Sequence, residues 1–279
     1  VSEIGICLVT SPTALAAADH AAMVFEVINS ARAFAELRGA ETIIACDGVR
    51  PEAEHLRERY EGALQEIAWW CNLSEPNVLP VILETWQHQA HTLAAGLAQM
   101  RSELVVMLEH DAPLLPVPID WAGCAEVVGG HELDVMRFLH ESQILREHGH
   151  LLVDTVDSPG PIERRVPYLR TGQWSQRPHL ARRAWYQDLL HRYFAPESRC
   201  FVEEVMHGVC DFMWREFGEE GWEQNRIGIY ADPEPTMQRS THLDGRAGEP
   251  HYAESQIFAY AGGGTPPGAP RATADRPPE

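Results

Sequence analysis

The sequence contains no lysine; all 22 of its basic residues are arginine. That absence removes two chemistries at once, a Schiff-base lysine and the lysine of a phosphate-binding P-loop. Basic charge is also scarce overall. Set against 41 aspartates and glutamates, the arginines leave a formal net charge of −19, a balance that repels nucleic-acid backbones and argues against a nucleic-acid partner. Long apolar runs are missing too, and none approaches the roughly 18 residues that span a bilayer. "VSEIGICLVTSP" has no basic leader before its short apolar run, so it reads as a first strand and not as a signal peptide. The six cysteines lie far apart, with no C-x-x-C pair. This pattern gives neither a disulfide framework nor a zinc knuckle and fits a cytoplasmic protein.

Several catalytic signatures are absent as well. The stretch "LVTSPTALAAADH" stands where G-x-G-x-x-G would follow the first strand, and no G-x-x-x-x-G-K-[ST] occurs. A nucleotide, if bound, is therefore not held by a glycine-rich phosphate loop. Neither a G-x-S-x-G elbow nor an H-E-x-x-H helix is present, which weakens hydrolase and metalloprotease readings.

What is present is alternation. "IGICLVT" precedes a helical stretch from about Ala16 to Arg38, and "ETIIACDG" precedes "PEAEHLRERYEGALQEIAWWC". "NVLPVILE" precedes "HTLAAGLAQMR", which leads into "ELVVMLEHD". Repeated strand-then-helix units predict an α/β fold, a doubly wound and mostly parallel sheet with helices on both faces. Ligands of such sheets bind beyond the carboxyl ends of the strands. That rule gathers Thr10-Ser11-Pro12, Asp47-Gly48, Glu84 and Glu109-His110-Asp111 into one neighbourhood. Beyond Pro118 the pattern is mixed. "ELDVMRFLH", "HLLVDTV" and "NRIGIYADP" read as strands. "RTGQWSQRPHLARRAWYQDLLHRYF" reads as a loop that becomes a helix after Pro178, and "VEEVMHGVCDFMWREFG" as a helix with an apolar stripe. The glycine- and proline-rich end, residues 262–279, is expected to be disordered.

The run "ELVVMLEHDAPLL" poses the chemical question, because an apolar strand ends there in two carboxylates flanking an imidazole. A polar strand end is common for solvation alone. The alternative is an octahedral Mg²⁺ or Mn²⁺ site, in which Asp111 and the distant His242 supply the protein's share beside diphosphate oxygens. The ion would neutralise a diphosphate in an otherwise acidic protein, acting as a Lewis acid.

The order of these pieces resembles a glycosyltransferase of the GT-A fold, close to the inverting bacterial nucleotide-sugar enzymes. "DGVRP", "RTGQWSQRPHLA" and "HLDGR" resemble a set recurring in an actinobacterial subgroup of them. The resemblance runs from about Ile4 to Tyr252. It implies a nucleotide-sugar-binding half over residues 1–118 and an acceptor and catalytic half of the same domain over 119–261. By the match, Asp47 falls at an acid that contacts the nucleotide, and Glu109-His110-Asp111 stands for the D-x-D motif. Asp111 would hold the metal, Glu109 would face the ribose or a metal-bound water, and His242 would complete the metal shell. "FVEEVMHG" resembles the E-D element, making Glu204 the base that activates an acceptor hydroxyl, with Glu203 as its competitor. Two departures stand out: glutamate replaces aspartate at both Glu109 and Glu204. The usual arginine-tryptophan pair is also missing, and "RTGQWSQRP" is its candidate substitute.

Other candidates carry a bland reading beside the functional one. Ser11, Gln89 and His88 are placed to touch the nucleotide, whereas His91 faces helix packing. Trp174, in a polar loop, suits sugar stacking or anchoring of that loop to the core. Arg170 and Arg177 bracket it and suit diphosphate or a charged acceptor, or simple ion pairing with the many acids. Asp47-Gly48 is also an ordinary turn pair, and Glu204 would favour a helix start without catalysis. The reading is a Mn²⁺- or Mg²⁺-dependent glycosyltransferase taking a nucleoside-diphosphate sugar donor and a small-molecule or glycan acceptor. A nucleotidyltransferase and a non-catalytic nucleotide- or carbohydrate-binding protein are the alternatives.

Overall fold

A computed structural model describes residues 3–74, 77–154, 165–243 and 257–258. The segment expected to be disordered, 262–279, lies outside the described residues, as does Asp244 in "HLDGR".

The four apolar runs of the first half form parallel strands: β1 (Ile4–Thr10), β2 (Thr42–Cys46), β3 (Val78–Ile82) and β4 (Leu104–Glu109). The remaining strands are β5 (Val135–Arg137), β6 (Ile144–Leu145), β7 (Tyr168–Thr171), β8 (His179–Arg182), β9 (Ile227–Tyr230) and β10 (Ile257–Phe258). One eight-stranded sheet runs β3-β2-β1-β4-β8-β5-β9-β7, and a short antiparallel pair joins β10 to β6. Within the large sheet only β8 and β7 run against the rest. The sheet is therefore mixed but mostly parallel, as the alternation predicts.

Side chains of a strand alternate between faces, and the two cores follow that rule. Ile6, Leu8, Ile44, Cys46, Val106 and Leu108 pack with α1 (Ala17–Arg32), α2 (Arg57–Ser74) and α4 (Trp121–Gly129). Cys7, Val9, Ile43, Ala45, Val105 and Met107 pack on the other face with α3 (His88–Gln99), α5 (Arg183–Tyr193) and α6 (Val202–Trp222). Helices thus cover both faces, which explains why β1, β2 and most of β4 are apolar without alternation. All six cysteines are free thiols, five of them buried; burial pushes the Cys7 thiol up to about 12, where it acts as a small hydrophobe.

Several sequence expectations need correction. α1 ends at Arg32 and not near Arg38, because the chain turns to seat Leu37 in the core and Phe34 edge-on to Trp121. The described part of "HLLVDTV", residues 150–154, does not form a strand. A 3₁₀ turn occupies Arg146–Leu151, and Leu152 makes only an isolated bridge to Thr171. The segment after Pro178 first forms β8, wedged between β4 and β5, before α5 begins at Arg183. In α6 the apolar stripe splits: Met206 and Cys210 are buried, whereas Phe217 is exposed beside Gly218, whose φ of 56° interrupts the helix.

Candidate active-site cleft

A cleft of about 1190 Å³ opens beyond the carboxyl ends of β1, β2 and β4. The start of α6 and the loop between β7 and β8 close its other side. Of the strand-end neighbourhood inferred from sequence, Thr10, Ser11, Pro12, Asp47, Gly48, Glu109, His110 and Asp111 line the cleft, but Glu84 does not.

The β1–α1 loop is held by His20. This buried imidazole joins the Thr10 hydroxyl at 2.8 Å through Nε2 and the Thr13 hydroxyl at 2.9 Å through Nδ1. Burial, then the nearby His110, lowers its pKa to about 4, so it stays neutral and can accept from one threonine while donating to the other. Ser11 is thereby fixed between two anchored residues.

Asp47 is 3% exposed and its carboxylate is already engaged. It accepts from the backbone N–H groups of Gly48 (2.8 Å), Gln87 (2.8 Å) and His88 (2.9 Å). These bonds tie the end of β2 to the start of α3 and support His88 at a φ of 64°. Gly48 is required beside it, since a Cβ would come within 2.3 Å of the Thr85 backbone. The turn reading of Asp47-Gly48 is thus realised at the cleft wall.

Gln89 makes a similar bridge. Its amide donates to Glu109 at 2.6 Å and accepts from the Val202 N–H at 2.9 Å, linking the end of β4 to the first turn of α6. Glu203 and Glu204 both face the cleft from that turn. Glu204 also reaches back to the Phe201 N–H at a long 3.3 Å, so the helix-start reading holds for it too. The Glu203 carboxylate accepts no hydrogen bond among the described residues.

Asp111 and His242 meet in the cleft lining, with Oδ2 and Nδ1 3.9 Å apart. Two donors bound to one divalent ion at about 2.0–2.2 Å each stand about 3–4 Å apart, so this pair fits a shared ion. The Nδ1 of His242 is buried without a hydrogen-bond partner, and with the ring proton on Nε2 it offers a lone pair to a ligand. As the side chains stand, no three His, Cys, Asp or Glu groups among the described residues form a complete cage.

Two expected site residues lie elsewhere. Trp174 is 1% exposed and packs against His179, Trp185 and Tyr186 in the core, so it offers no stacking face to a sugar. Its polar neighbours misled because they are buried and bonded: the Gln173 carbonyl accepts from Arg137 at 2.7 Å. Arg170 pairs with Asp154 and Glu219, each at 2.8 Å, and lies over the Trp222 ring, outside the cleft lining. Arg177 does line the cleft, in a bidentate pair with Glu141. Sequence reasoning passed over His20, His140 and the aromatic rim of Trp86 and Phe201, all of which line or shape the cleft.

No protein-family model matches the sequence, and no curated protein matches it. Solved structures match in fold. GalNAc-T7, solved with UDP, GalNAc and Mn²⁺, gives a TM-score of 0.56 at 10% identity, over 87% of this chain and 44% of that one. TarS of S. aureus gives 0.50 at 14% identity, over 85% and 36%. TarS 1–349 with UDP-GlcNAc gives 0.50 at 13% identity, over 85% and 57%. The chain therefore spans between 36% and 57% of these chains' own lengths. The fold is GT-A-like, that of glycosyltransferases. No helix among the described residues is long and apolar enough to cross a membrane.

Proposed function

We propose that the protein is a metal-dependent glycosyltransferase that moves a sugar from a nucleoside-diphosphate donor to an acceptor hydroxyl with inversion. The observation that carries the reading is one cleft lined both by Asp111 and His242, 3.9 Å apart, and by a pair of carboxylates at the start of α6. Residues 1–118 would bind the donor, with Ser11 and the Asp47 and Gln89 turns shaping the nucleotide end. Residues 119–261 would take a glycan or small-molecule acceptor. A divalent ion, Mn²⁺ or Mg²⁺, would be held by Asp111 and His242 and supply Lewis-acid neutralisation of the departing diphosphate. The Mn²⁺, UDP and UDP-GlcNAc of the matched structures are in keeping with that chemistry.

Glu204 would accept the proton of the attacking hydroxyl, and inversion follows because a single displacement needs one base and no covalent intermediate. Arg177, already charge-balanced by Glu141, would orient a phosphate or a polar acceptor group. Incubating the protein with a panel of nucleotide sugars and Mn²⁺, read by thermal shift and by release of nucleoside diphosphate, tests the reading. A stabilising donor that is also slowly hydrolysed supports it. Stabilisation with no turnover on any acceptor or water makes the chain a binding protein, and no response to any nucleotide sugar overturns it.

A further inference from the structure

Beside the Asp111–His242 pair stands a third side chain that the sequence did not single out. His140 lies just beyond β5 and lines the same cleft, its ring centroid 4.3 Å from that of His242. Its Nε2 is buried and has no hydrogen-bond partner. An orphaned imidazole nitrogen in a polar cleft is unfavourable if it carries a proton and is ready to bind if it carries a lone pair.

The surrounding hydrogen bonds decide which. His140 Nδ1 is 2.7 Å from the Ser240 hydroxyl oxygen. That same oxygen lies 3.0 Å from the Leu139 carbonyl and 3.2 Å from the Phe138 carbonyl. A carbonyl only accepts, and giving it the serine proton is the arrangement that leaves no N–H buried without an acceptor at His140 Nε2. The serine oxygen must then accept from His140, which places the ring proton on Nδ1 and leaves Nε2 as a bare lone pair. Donation of the distal N–H to a fixed acceptor is how metal-binding histidines are oriented.

Three residues from three chain segments thus line the cleft with donor atoms that nothing else uses among the described residues. His242 Nδ1 and His140 Nε2 are both unpartnered, and the Asp111 carboxylate accepts no side-chain or backbone hydrogen bond among the described residues. Two cations lie near them: Arg177, neutralised by its bidentate pair with Glu141, and the buried Arg137, which donates to the Gln173 carbonyl. We propose that His140 is a second imidazole ligand of the divalent ion and that Ser240 sets its tautomer. The proposal rests on the metal-dependent reading above and adds a ligand to it. Because these groups do not form a cage as they stand, His140, His242 and Asp111 would have to shift together to hold the ion.

Mn²⁺ added alone to the full chain tests this, read by titration and by pulsed EPR of nitrogen coupled to the bound ion. The wild type should show two coordinated imidazoles, and His140→Gln and His242→Gln one each. Ser240→Ala should weaken Mn²⁺ by about 10- to 100-fold, with Ser240→Thr restoring it. A single imidazole in the wild type, with His140→Gln unchanged in spectrum and affinity, overturns the assignment and leaves the metal reading standing. If His140→Gln fails to fold, unchanged affinity in Ser240→Ala overturns the assignment instead. No saturable Mn²⁺ binding by the wild type overturns both.

Discussion

The two halves of the sheet are held in place by different physics, and only in the first does that hold run mainly along the cleft wall. In the first half, β1 to β4 with α1 to α3, the wall is held by neutral or backbone-directed hydrogen bonds. His20 holds two threonines, Asp47 collects three backbone N–H groups, and Gln89 bridges Glu109 to Val202. In the second half, β5 to β9 with α4 to α6, guanidinium groups do the holding. Asp134, 3% exposed, pairs with both Arg182 and Arg226; Arg170 pairs with Asp154, and Arg177 with Glu141. Arg137, buried behind the cleft, donates to the Gln173 carbonyl, and burial pushes its pKa down to about 9. Directional, uncharged anchors suit a wall of fixed shape. Paired charges suit short strands that have less apolar area to bury, although a buried pair is unforgiving when one partner is lost.

The largest expected effect falls on the second half and on chemistry alone. Glu204→Gln should slow transfer by about 10²–10⁴ while leaving donor affinity intact. Glutamine can still accept from the Phe201 N–H, so the helix start survives the change. Glu203→Gln should keep most activity; if it is the dead variant, the base lies one residue earlier.

The next effect is on stability and separates core from cleft. Trp174→Ala removes a fully buried indole and should destabilise by about 3–5 kcal/mol, measured by chemical denaturation. Turnover of the remaining folded protein should be little changed. A loss of turnover at unchanged stability would return Trp174 to the binding surface.

A test of the first half concerns Asp111. Asp111→Asn should weaken nucleoside-diphosphate binding at least about tenfold in Mn²⁺ and hardly at all in EDTA, since only one metal ligand is altered. Equal affinities of mutant and wild type in Mn²⁺ would remove the metal from donor binding.

The same contrast between halves explains what the sequence made legible. β1, β2 and β4 are covered on both faces, so they appear as uninterrupted apolar runs, and their carboxyl ends point to Asp47, Glu109 and Asp111 directly. β8 is only His179–Arg182, follows Pro178 and passes straight into α5, so no period of two could reveal it. Trp174 was misplaced because polar neighbours suggest solvent, whereas here Gln173, Ser175 and Gln176 are buried with it. His140 was invisible because its partners Ser240 and His242 lie about a hundred residues away. Their two-residue spacing acquires meaning only once β5 and the segment after β9 are neighbours.

The smallest effect belongs to His20 and is a matter of pH. Its pKa is lowered from 6.5 to about 4, first by burial and then by His110. The unfolded chain therefore binds a proton that the folded chain refuses between those values. Wherever the unfolded state binds more protons, stability rises with pH. The contribution of His20 is fully present above about 6.5 and is lost as pH falls through about 4. His179, buried and lowered likewise to about 4, adds a parallel share, so one variant should flatten the curve only in part. His20→Gln keeps a hydrogen-bonding group between Thr10 and Thr13 but cannot be protonated. Its unfolding free energy, measured by urea denaturation from pH 7 to pH 4, should fall less steeply than that of the wild type. Donor affinity at pH 7 should drop modestly as the β1–α1 loop loosens. An unchanged pH slope would mean that His20 is not excluded from protonation in the fold, and the neutral anchoring of the first half would lose its principal example.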